Sequence, residues 1–297
     1  MDSDLPLPKG VDLKVLLETL RNLSWGAADI LRAYARGEQP PFGFSRTFNV
    51  NALDKGPVST ADLAVNNWLL KGFSLKFKNI DWAVISEEST GGISNNVDSD
   101  SYDWVWLIDP LDGTKDFIQG TGDYAIHLGL LYKGRPILGV VVIPESEELW
   151  FGVVGLGAWC ENRSKGKTNS SFSNRKELAD LILISSRNHR DQKLENLLSG
   201  FVLGGKKVKG SVGCKVVNIL KGESDFYISL SGQTSPKDWD MAGPEALLIS
   251  AGGRFTHVNG QELIYLSYDF SQKGCIVASH GKSHELICNS LKTKISK

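Results

Sequence analysis

The sequence has few of the residues that would indicate a disulfide framework or a zinc site. Its cysteines, Cys160, Cys214, Cys275 and Cys288, are widely spaced and form no CxxC pair. This spacing favours neither a disulfide scaffold nor a structural zinc site. We therefore expect reduced thiols and a cytoplasmic protein.

Long apolar runs and an excess of charge are also absent. The apolar segments, of which ILGVVVIP is typical, are too short to cross a bilayer. The acidic, proline-containing N-terminus lacks the basic-then-apolar order of a signal peptide. The formal net charge is only -1, which gives no support to a nucleic acid polymer as partner. We expect a soluble protein with no membrane or nucleic acid partner, and the sequence leaves open whether a transit segment was removed.

At 297 residues the chain is long enough for two substantial domains. After two predicted helices and a polar loop at residues 91–103, short β-rich runs separated by turns continue to residue 159. Strands then alternate with helices, which are predicted near residues 192–198 and 216–221. The sequence therefore predicts an α+β N-terminal lobe (residues 1–178) and an α/β C-terminal lobe (residues 179–297).

Four acidic positions stand where predicted elements end. Residues 104–117 read WVWLIDPLDGTKDF, an apolar strand that ends in Asp109 and Asp112. Glu87 follows the strand WAVIS, and Asp240 follows a tryptophan. Because strand ends face a common crevice in open sheets, these acids can converge, and their mutual repulsion then requires a cation. All-oxygen ligands with no partner Cys or His favour Mg²⁺, Mn²⁺ or Ca²⁺, and Mg²⁺ commonly leaves positions for water and a substrate phosphate.

Hydrolysis of a phosphate ester also needs a positioned water. Two metal ions ~3.5–4 Å apart would stabilise the attacking and leaving oxygens of an in-line displacement. Asp62, assisted by the Thr114 hydroxyl, is the candidate for orienting and deprotonating the water. The N–H groups of Gly113 and Thr114, at a predicted helix start, are candidates for holding phosphate oxygens.

Each of these positions also has an ordinary structural explanation. Turn and cap chemistry uses the same residue types far more often than catalysis does. The structural alternatives are a surface turn at residues 110–113, helix N-termini at Asp62 and Asp240, a solvated loop at Glu87 and Glu88, and a turn at Gly252 and Gly253. Taken one at a time, these alternatives stay open.

The order of the segments resembles the lithium-sensitive, magnesium-dependent phosphatase superfamily. This group includes inositol monophosphatases, 3'(2'),5'-bisphosphate nucleotidases and, more distantly, fructose-1,6-bisphosphatases. Its pattern is an Asp, then Glu-Glu, then DP(I/L)DGT, then WD followed by eleven residues and GG. The matching segments are Asp62, Glu87-Glu88, DPLDGT, Trp239-Asp240 and Gly252-Gly253, in that order along nearly the full chain.

The resemblance implies an α/β (α+β) fold, a layered αβαβα sandwich, and a role for each matched position. The implied metal ligands are Glu87, Asp109, the carbonyl of Leu111, Asp112 and Asp240. The implied water-activating pair is Asp62 and Thr114. The resemblance also implies two or three Mg²⁺ ions, Mn²⁺ as a substitute and inhibition by Li⁺. The oligomeric state is left open between a monomer and a homodimer.

The resemblance extends to the substrate. The segments DGTKDF, LGVVVIPESEELWFG and ISSRNH are most similar to CysQ-type nucleotidases. They imply hydrolysis of 3'-phosphoadenosine 5'-phosphate, and also its 5'-phosphosulfate, in sulfate assimilation. The alternative is an inositol monophosphatase or sugar-phosphate phosphatase with the same metal centre. A non-catalytic binder of nucleotide or metal is a further alternative, but binding alone would not require a water-activating pair.

Basic and polar residues suggest where the substrate binds. The substrate-binding candidates are Gly113, Thr114, Lys115, Arg187, His189, Ser211, Lys215 and Asp240. The lysines in GGKKVKGSVGCK suit an anion-binding loop and equally suit a solvated surface loop. Two residues depart from the nucleotidase pattern, because Val212 stands where a Ser is frequent and Ser229 stands where an Arg is common.

Overall fold

The computed structural model describes residues 5–53, 56–89, 101–188, 192–232 and 235–295. His189, a predicted substrate-binding residue, lies outside the described residues, as does most of the polar loop predicted at residues 91–103. Within the described ranges, no helix combines the length and the apolar character needed to cross a membrane.

The helices of the described chain are α1 (Leu13–Ala35), α2 (Thr60–Lys76), α3 (Thr114–Ile118), α4 (Gln192–Leu198), α5 (Val212–Leu220), α6 (Asp238–Ser250) and α7 (His284–Ile295). Its strands are β1 (Val50–Leu53), β2 (Gly56–Ser59), β3 (Ala83–Ser86), β4 (Trp104–Asp112), β5 (Ala125–Tyr132), β6 (Arg135–Ile143), β7 (Glu148–Val153), β8 (Gly157–Asn162), β9 (Gly166–Asn169), β10 (Ile182–Ser186), β11 (Gly205–Lys209), β12 (Phe226–Leu230), β13 (Arg254–His257) and β14 (Cys275–Ser279).

The strands form two large sheets and one hairpin. Strands β3 to β9 make a seven-stranded sheet in sequence order, with β3 parallel to β4 and the remaining pairs antiparallel. The second sheet has the order β11-β10-β12-β14-β13, and β1 pairs with β2. The boundary predicted near residue 178 falls between the last strand of the first sheet and the first strand of the second. The division into two lobes stays a prediction.

The helices cover the sheets in alternating layers. Alternation along β4 sends Trp106 and Ile108 into the core beneath α1 and α2, and Val105 and Leu107 into the core beneath α5 and α6. Residues of the second sheet close that second core from the other side. A third core lies between the second sheet and the helices α4 and α7. The predicted αβαβα sandwich is therefore confirmed.

Of the two helices predicted in the second half of the chain, one has the predicted bounds and the other begins earlier than predicted. Helix α4 lies at residues 192–198, as predicted. Helix α5, predicted near residues 216–221, begins earlier, at Val212. The prediction was wrong at this end because the Ser211 hydroxyl accepts a hydrogen bond from the Cys214 N–H, which satisfies a free donor of the first turn.

A row of three glycines lets α6 lie directly on the first sheet. Gly129, Gly139 and Gly152 are register partners on the adjacent strands β5, β6 and β7. A Cβ atom at Gly139 would lie 2.3 Å from the Gly243 carbonyl oxygen, and one at Gly152 would lie 2.4 Å from the Leu247 Cα. Because these positions have no side chain, the backbone of the helix contacts the strands. This contact sets the height of α6 above the sheet.

Candidate active site

Asp62 uses one carboxylate oxygen to cap a helix and the other to contact Thr114. Its Oδ2 accepts hydrogen bonds from the Ser59 N–H at 2.8 Å and the Ser59 hydroxyl at 2.5 Å, as part of a capping box at the start of α2. Its Oδ1 lies 3.1 Å from the Thr114 hydroxyl. Burial raises the pKa of this carboxyl group above its ordinary value. The helix-cap explanation and the water-activating explanation are therefore compatible.

The end of β4 is irregular, and this irregularity positions the site. The pairing between β4 and β5 shifts between Asp109 and Asp112, and such a bulge re-aims side chains at a strand end. The Leu111 N–H donates to Asp109 Oδ1 at 2.9 Å, and the Leu111 carbonyl lies 3.2 Å from the Thr114 hydroxyl. Gly113 then takes a positive φ of 92°, which favours glycine. The surface turn considered for residues 110–113 is therefore wrong for residues 110–112, which belong to β4, and the irregular end of this strand brings the acids together.

The acids that follow β3, end β4 and begin α6 converge. Burial raises the pKa of Glu87 well above its ordinary value, and the charges of Asp240 and Glu88 raise it further. The pKa of Asp109 is raised by burial and then by the charges of Glu87, Asp112 and Asp240. Burial, with a contribution from Asp62, raises the pKa of Glu88 to about 7. Because buried carboxylates repel each other in this way, the donor set fits a divalent cation that binds oxygen ligands.

Asp112 is held by the first turn of α5 as well as by its own strand. Its Oδ2 accepts hydrogen bonds from the Ser211 hydroxyl at 2.7 Å and from the Val212 N–H. Val212 makes this contact through its backbone N–H. The contact therefore does not need the serine side chain that the nucleotidase pattern often has at this position. The Nε2 of His127 lies 3.4 Å from the same oxygen.

Asp240 is fixed at the start of α6. Its Oδ2 accepts a hydrogen bond from the Lys237 N–H at 2.6 Å. The preceding residue Asp238 is buried and accepts from the Leu266 N–H and from the Gln272 side chain. The helix-cap explanation is therefore correct for Asp240. Burial, with a contribution from the charge of Asp112, raises its pKa to about 7, and its own charge raises the pKa of Glu87.

Arg187, a predicted substrate contact, is paired with acids beside the site. Its Nε donates to Asp116 Oδ1 at 2.9 Å, and its terminal nitrogen pairs with Asp123. Lys209 donates to Asp123 Oδ1 at 2.6 Å. Burial opposes ionisation of Asp123, but the hydrogen bonds from Lys209 and Arg187 outweigh it and lower its pKa.

The other predicted substrate residues occupy different environments. Gly113 lies beside Ser211, since a Cβ atom on the glycine would be 3.4 Å from the Ser211 N. Lys115 is exposed, whereas Lys215 is only 2% exposed. The Lys215 Nζ donates to the Gly210 carbonyl at 3.1 Å and lies 5.0 Å from the centre of the Tyr227 ring. Burial lowers the pKa of Lys215.

One residue of the site was missed by the sequence analysis. The all-oxygen ligand set was predicted on the ground that no Cys or His accompanies the acids, but His127 lies beside Asp112. That premise was wrong because His127 is the register partner of Asp109 across the pairing of β4 and β5. The available signal was a single histidine inside the apolar strand AIHLGLLY.

Comparison with known proteins gives consistent matches along the chain. Residues 12–296 match the Inositol monophosphatase family. A 3'(2'),5'-bisphosphate nucleotidase CysQ from Buchnera aphidicola is 33% identical over 214 residues, which cover 71% of this chain and 75% of that protein. The CysQ protein of Salmonella typhimurium is 30% identical over 252 residues, which cover 84% of this chain and 94% of the relative. A Nus factor SuhB from Pseudomonas aeruginosa is 28% identical over 218 residues, or 70% and 73% of the two chains.

Solved structures share the fold at lower identity. An IMPase from Thermotoga maritima superposes with a TM-score of 0.74 at 20% identity, covering 95% of this chain and 98% of the other. An inositol monophosphatase from Anabaena gives 0.72 at 23% identity, with 95% and 97% coverage. These two structures have the layered architecture described above.

Proposed function

The chain belongs to the inositol monophosphatase family, a family of phosphatases, and from this premise we propose that it is a 3'(2'),5'-bisphosphate nucleotidase. The proposed reaction converts 3'-phosphoadenosine 5'-phosphate to AMP and phosphate, and the 5'-phosphosulfate analogue to adenosine 5'-phosphosulfate. Similarity to CysQ proteins over most of the chain supports the nucleotide substrate. The proposed setting is a cytoplasmic step of sulfate assimilation.

The observation that carries the phosphatase chemistry is the convergence of acids around the pair Asp62 and Thr114. The residues proposed to hold the metal ions are Glu87, Asp109, the carbonyl of Leu111, Asp112 and Asp240. We propose two or three Mg²⁺ ions for this oxygen-rich set, with Mn²⁺ as a substitute and Li⁺ as an inhibitor. A bound divalent cation supplies positive charge that offsets the negative charge developing on the phosphate in the transition state.

Asp62 is the proposed general base. Ser59 holds one carboxylate oxygen through two hydrogen bonds, so the other is directed toward Thr114. The raised pKa of Asp62 makes it a better proton acceptor than an exposed aspartate. A water oriented by both side chains gives a proton to Asp62 as its oxygen bonds to phosphorus. The ester P–O bond breaks in line, and the 3'-oxygen leaves and takes up a proton.

The substrate contacts are proposed from position and charge. Gly113, Thr114 and Ser211 lie against the acids and are proposed to contact the phosphate that is transferred. Lys115, Arg187, Lys215 and His189, the last outside the described residues, stay predicted contacts for the rest of the substrate.

One observation favours the alternative substrate. Arg187 and Lys209 are candidate cations for a second phosphate, but both form ion pairs, Arg187 with Asp116 and Asp123 and Lys209 with Asp123. A second phosphate therefore gains little unless it displaces a carboxylate. An inositol monophosphate or sugar monophosphate, which has no second phosphate, is not affected by this pairing.

Phosphate release from a substrate panel tests the proposal. The panel contains 3'-phosphoadenosine 5'-phosphate, its phosphosulfate, inositol 1-phosphate and fructose 1,6-bisphosphate, each with and without Mg²⁺. We expect the highest kcat/KM for the adenylates and no turnover without a divalent ion. A tenfold or larger preference for inositol 1-phosphate would overturn the nucleotide assignment. Asp62→Asn serves as control, because it should bind metal and lower kcat rather than raise KM.

A further inference from the structure

His127 lies beside Asp109 and Asp112 and has no role in the reaction proposed above. It stands directly opposite Asp109 in the antiparallel pairing of β4 and β5. Directly paired residues project from the same face of a sheet with their Cβ atoms ~4.5–5.5 Å apart. The imidazole is 0% exposed. The ring therefore fills part of the buried space beside Asp109.

The chain makes room for the ring at the start of α5. A Cβ atom at Gly213 would lie 2.3 Å from His127 Nε2, so only glycine lets the helix approach this closely. The same nitrogen lies 3.4 Å from Asp112 Oδ2. Single ligand atoms from Asp109, Asp112 and His127 all lie within 4.8 Å of one another. A ring nitrogen and two carboxylates are thus close enough to share one ion.

Within the described part of the chain, neither ring nitrogen of His127 makes a hydrogen bond of ordinary geometry, although two backbone carbonyls of α6 lie near the ring. Buried polar groups normally have one, because an unpaired group loses its hydration without compensation. Asp112 does not remove the difficulty, since its Oδ2 already accepts from Ser211 and Val212. A buried ring beside carboxylates, without a well-formed hydrogen bond at the nitrogen that faces them, therefore needs a further explanation.

The surroundings indicate which tautomer the ring takes. The backbone carbonyls of Trp239 and Asp240, at the start of α6, lie near the ring and can accept its proton. The Asp240 carbonyl has no N–H partner four residues on, because Pro244 occupies that place in α6. A neutral imidazole has one N–H donor and one lone pair. A proton directed to these carbonyls leaves the other nitrogen with a lone pair beside the carboxylates.

We propose that His127 donates an imidazole nitrogen to a divalent ion held by Asp109 and Asp112, and that this position therefore prefers Mn²⁺ or Co²⁺ to Mg²⁺. Imidazole suits transition metals, whereas Mg²⁺ favours oxygen ligands and retained water. The proposal rests on the metal site of the proposed function. It deepens that function because it adds a nitrogen ligand, and with it a metal preference that oxygen ligands alone would not give. It concerns binding and involves no change in the reaction steps.

Metal binding to the substrate-free protein provides the test. Mn²⁺ is titrated into metal-free protein and detected by electron paramagnetic resonance, and the pulsed spectrum is examined for modulation by a directly coordinated ¹⁴N nucleus. We expect ¹⁴N modulation in the wild type and its loss in His127→Asn. The ratio of the Mg²⁺ Kd to the Mn²⁺ Kd should fall about tenfold in that variant. His257→Asn, at a partly exposed histidine on β13, is the matched control and should leave both readouts unchanged.

A second variant keeps the test decisive if His127→Asn fails to fold, as judged by circular dichroism. Gly213→Ala keeps the histidine but places a methyl group against its Nε2, and it too should lose the ¹⁴N modulation. Mn²⁺ binding without ¹⁴N modulation in the wild type would overturn this proposal and leave the phosphatase proposal intact. Unchanged modulation in His127→Asn would overturn it as well. Failure of any divalent ion to bind would overturn both proposals.

Discussion

The hydroxyl oxygen of Thr114 lies 3.1 Å from Asp62 Oδ1 and 3.2 Å from the Leu111 carbonyl oxygen. It therefore connects the start of α2 to the irregular end of β4. A hydroxyl has one proton, so it donates to one of these oxygens and keeps lone pairs for a water molecule. The hydroxyl, rather than the bulk of the side chain, is the functional part of this residue.

Replacement of Thr114 separates these two contributions. Thr114→Val keeps the shape and removes the hydroxyl, and we expect kcat to fall by about 100-fold, within the range attributed to positioned proton-transfer groups. Thr114→Ser keeps the hydroxyl and is expected to retain most of the activity. Steady-state kinetics on the preferred substrate check the difference. Equal losses in the two variants would contradict the proposed role.

The glycine row beneath α6 predicts a localised loss of stability. Gly139→Ala puts a methyl group 2.3 Å from the Gly243 carbonyl oxygen, so the helix must shift away from the sheet. We expect a loss of about 1–3 kcal/mol in the free energy of unfolding, measured by urea denaturation. Metal affinity should fall too, because Asp240 is carried by the same helix.

Gly205→Ala is the matched control for this change. A Cβ atom there meets only Ile182, at 3.7 Å, which is an ordinary contact. Unaltered stability and metal affinity in Gly139→Ala, or an equal loss in Gly205→Ala, would contradict the explanation.

The acids that pair with Arg187 predict how substrate preference can be changed. Asp123→Asn removes one negative charge, so Arg187 and Lys209 are no longer fully neutralised. We expect KM for 3'-phosphoadenosine 5'-phosphate to fall severalfold, with a steeper dependence on salt concentration. KM for inositol 1-phosphate should change little, which makes it the internal control. A similar change in KM for both substrates would show that this cluster does not bind a second phosphate.

His284 predicts one part of the acid sensitivity of the fold. The Thr256 hydroxyl donates to the His257 carbonyl, so it accepts from Nε2 of His284, and Nδ1 accepts from Ser279. This network requires a neutral ring. Burial, with a smaller contribution from Arg254, lowers the pKa of His284 to about 4.

The sign of the effect follows from the lowered pKa. Between pH ~6.5 and about 4 the unfolded chain binds a proton that the folded chain does not. The stability that the neutral ring contributes is therefore present above pH ~6.5 and is lost as the pH falls through this window. The difference in unfolding free energy between wild type and His284→Gln should shrink by up to ~1.4 kcal/mol per pH unit. Urea denaturation at several pH values measures it, and a difference independent of pH would contradict the prediction.

Features that depend on local order could be predicted from the sequence. The acids at the ends of β3 and β4 and at the start of α6 stand at recognisable positions because strand ends and helix starts have local signals. The pairing of Asp62 with Thr114 could be predicted only from the resemblance that the order of all the matching segments carries. The layered architecture was predicted from the same resemblance.

Features that depend on register and docking could not be predicted. His127 faces Asp109 only because of the pairing of β4 with β5, and a shift of one residue would have turned it to the opposite face. The contact between Ser211 and Asp112 spans 99 residues and depends on where α5 packs. A basic residue such as Arg187 is visible in the sequence, but its neutralisation by Asp116 and Asp123 is not.

The glycine row also determines how stiff the site is. Side chains between a helix and a sheet can change rotamer and let the helix settle at more than one height. Here the backbone of α6 rests on the backbone of β5, β6 and β7, and close-packed backbone has no such freedom. Asp240 should therefore keep nearly the same distance from the β4 acids when the temperature or the bound substrate changes, and adjustment to a substrate is left to the residues outside this contact.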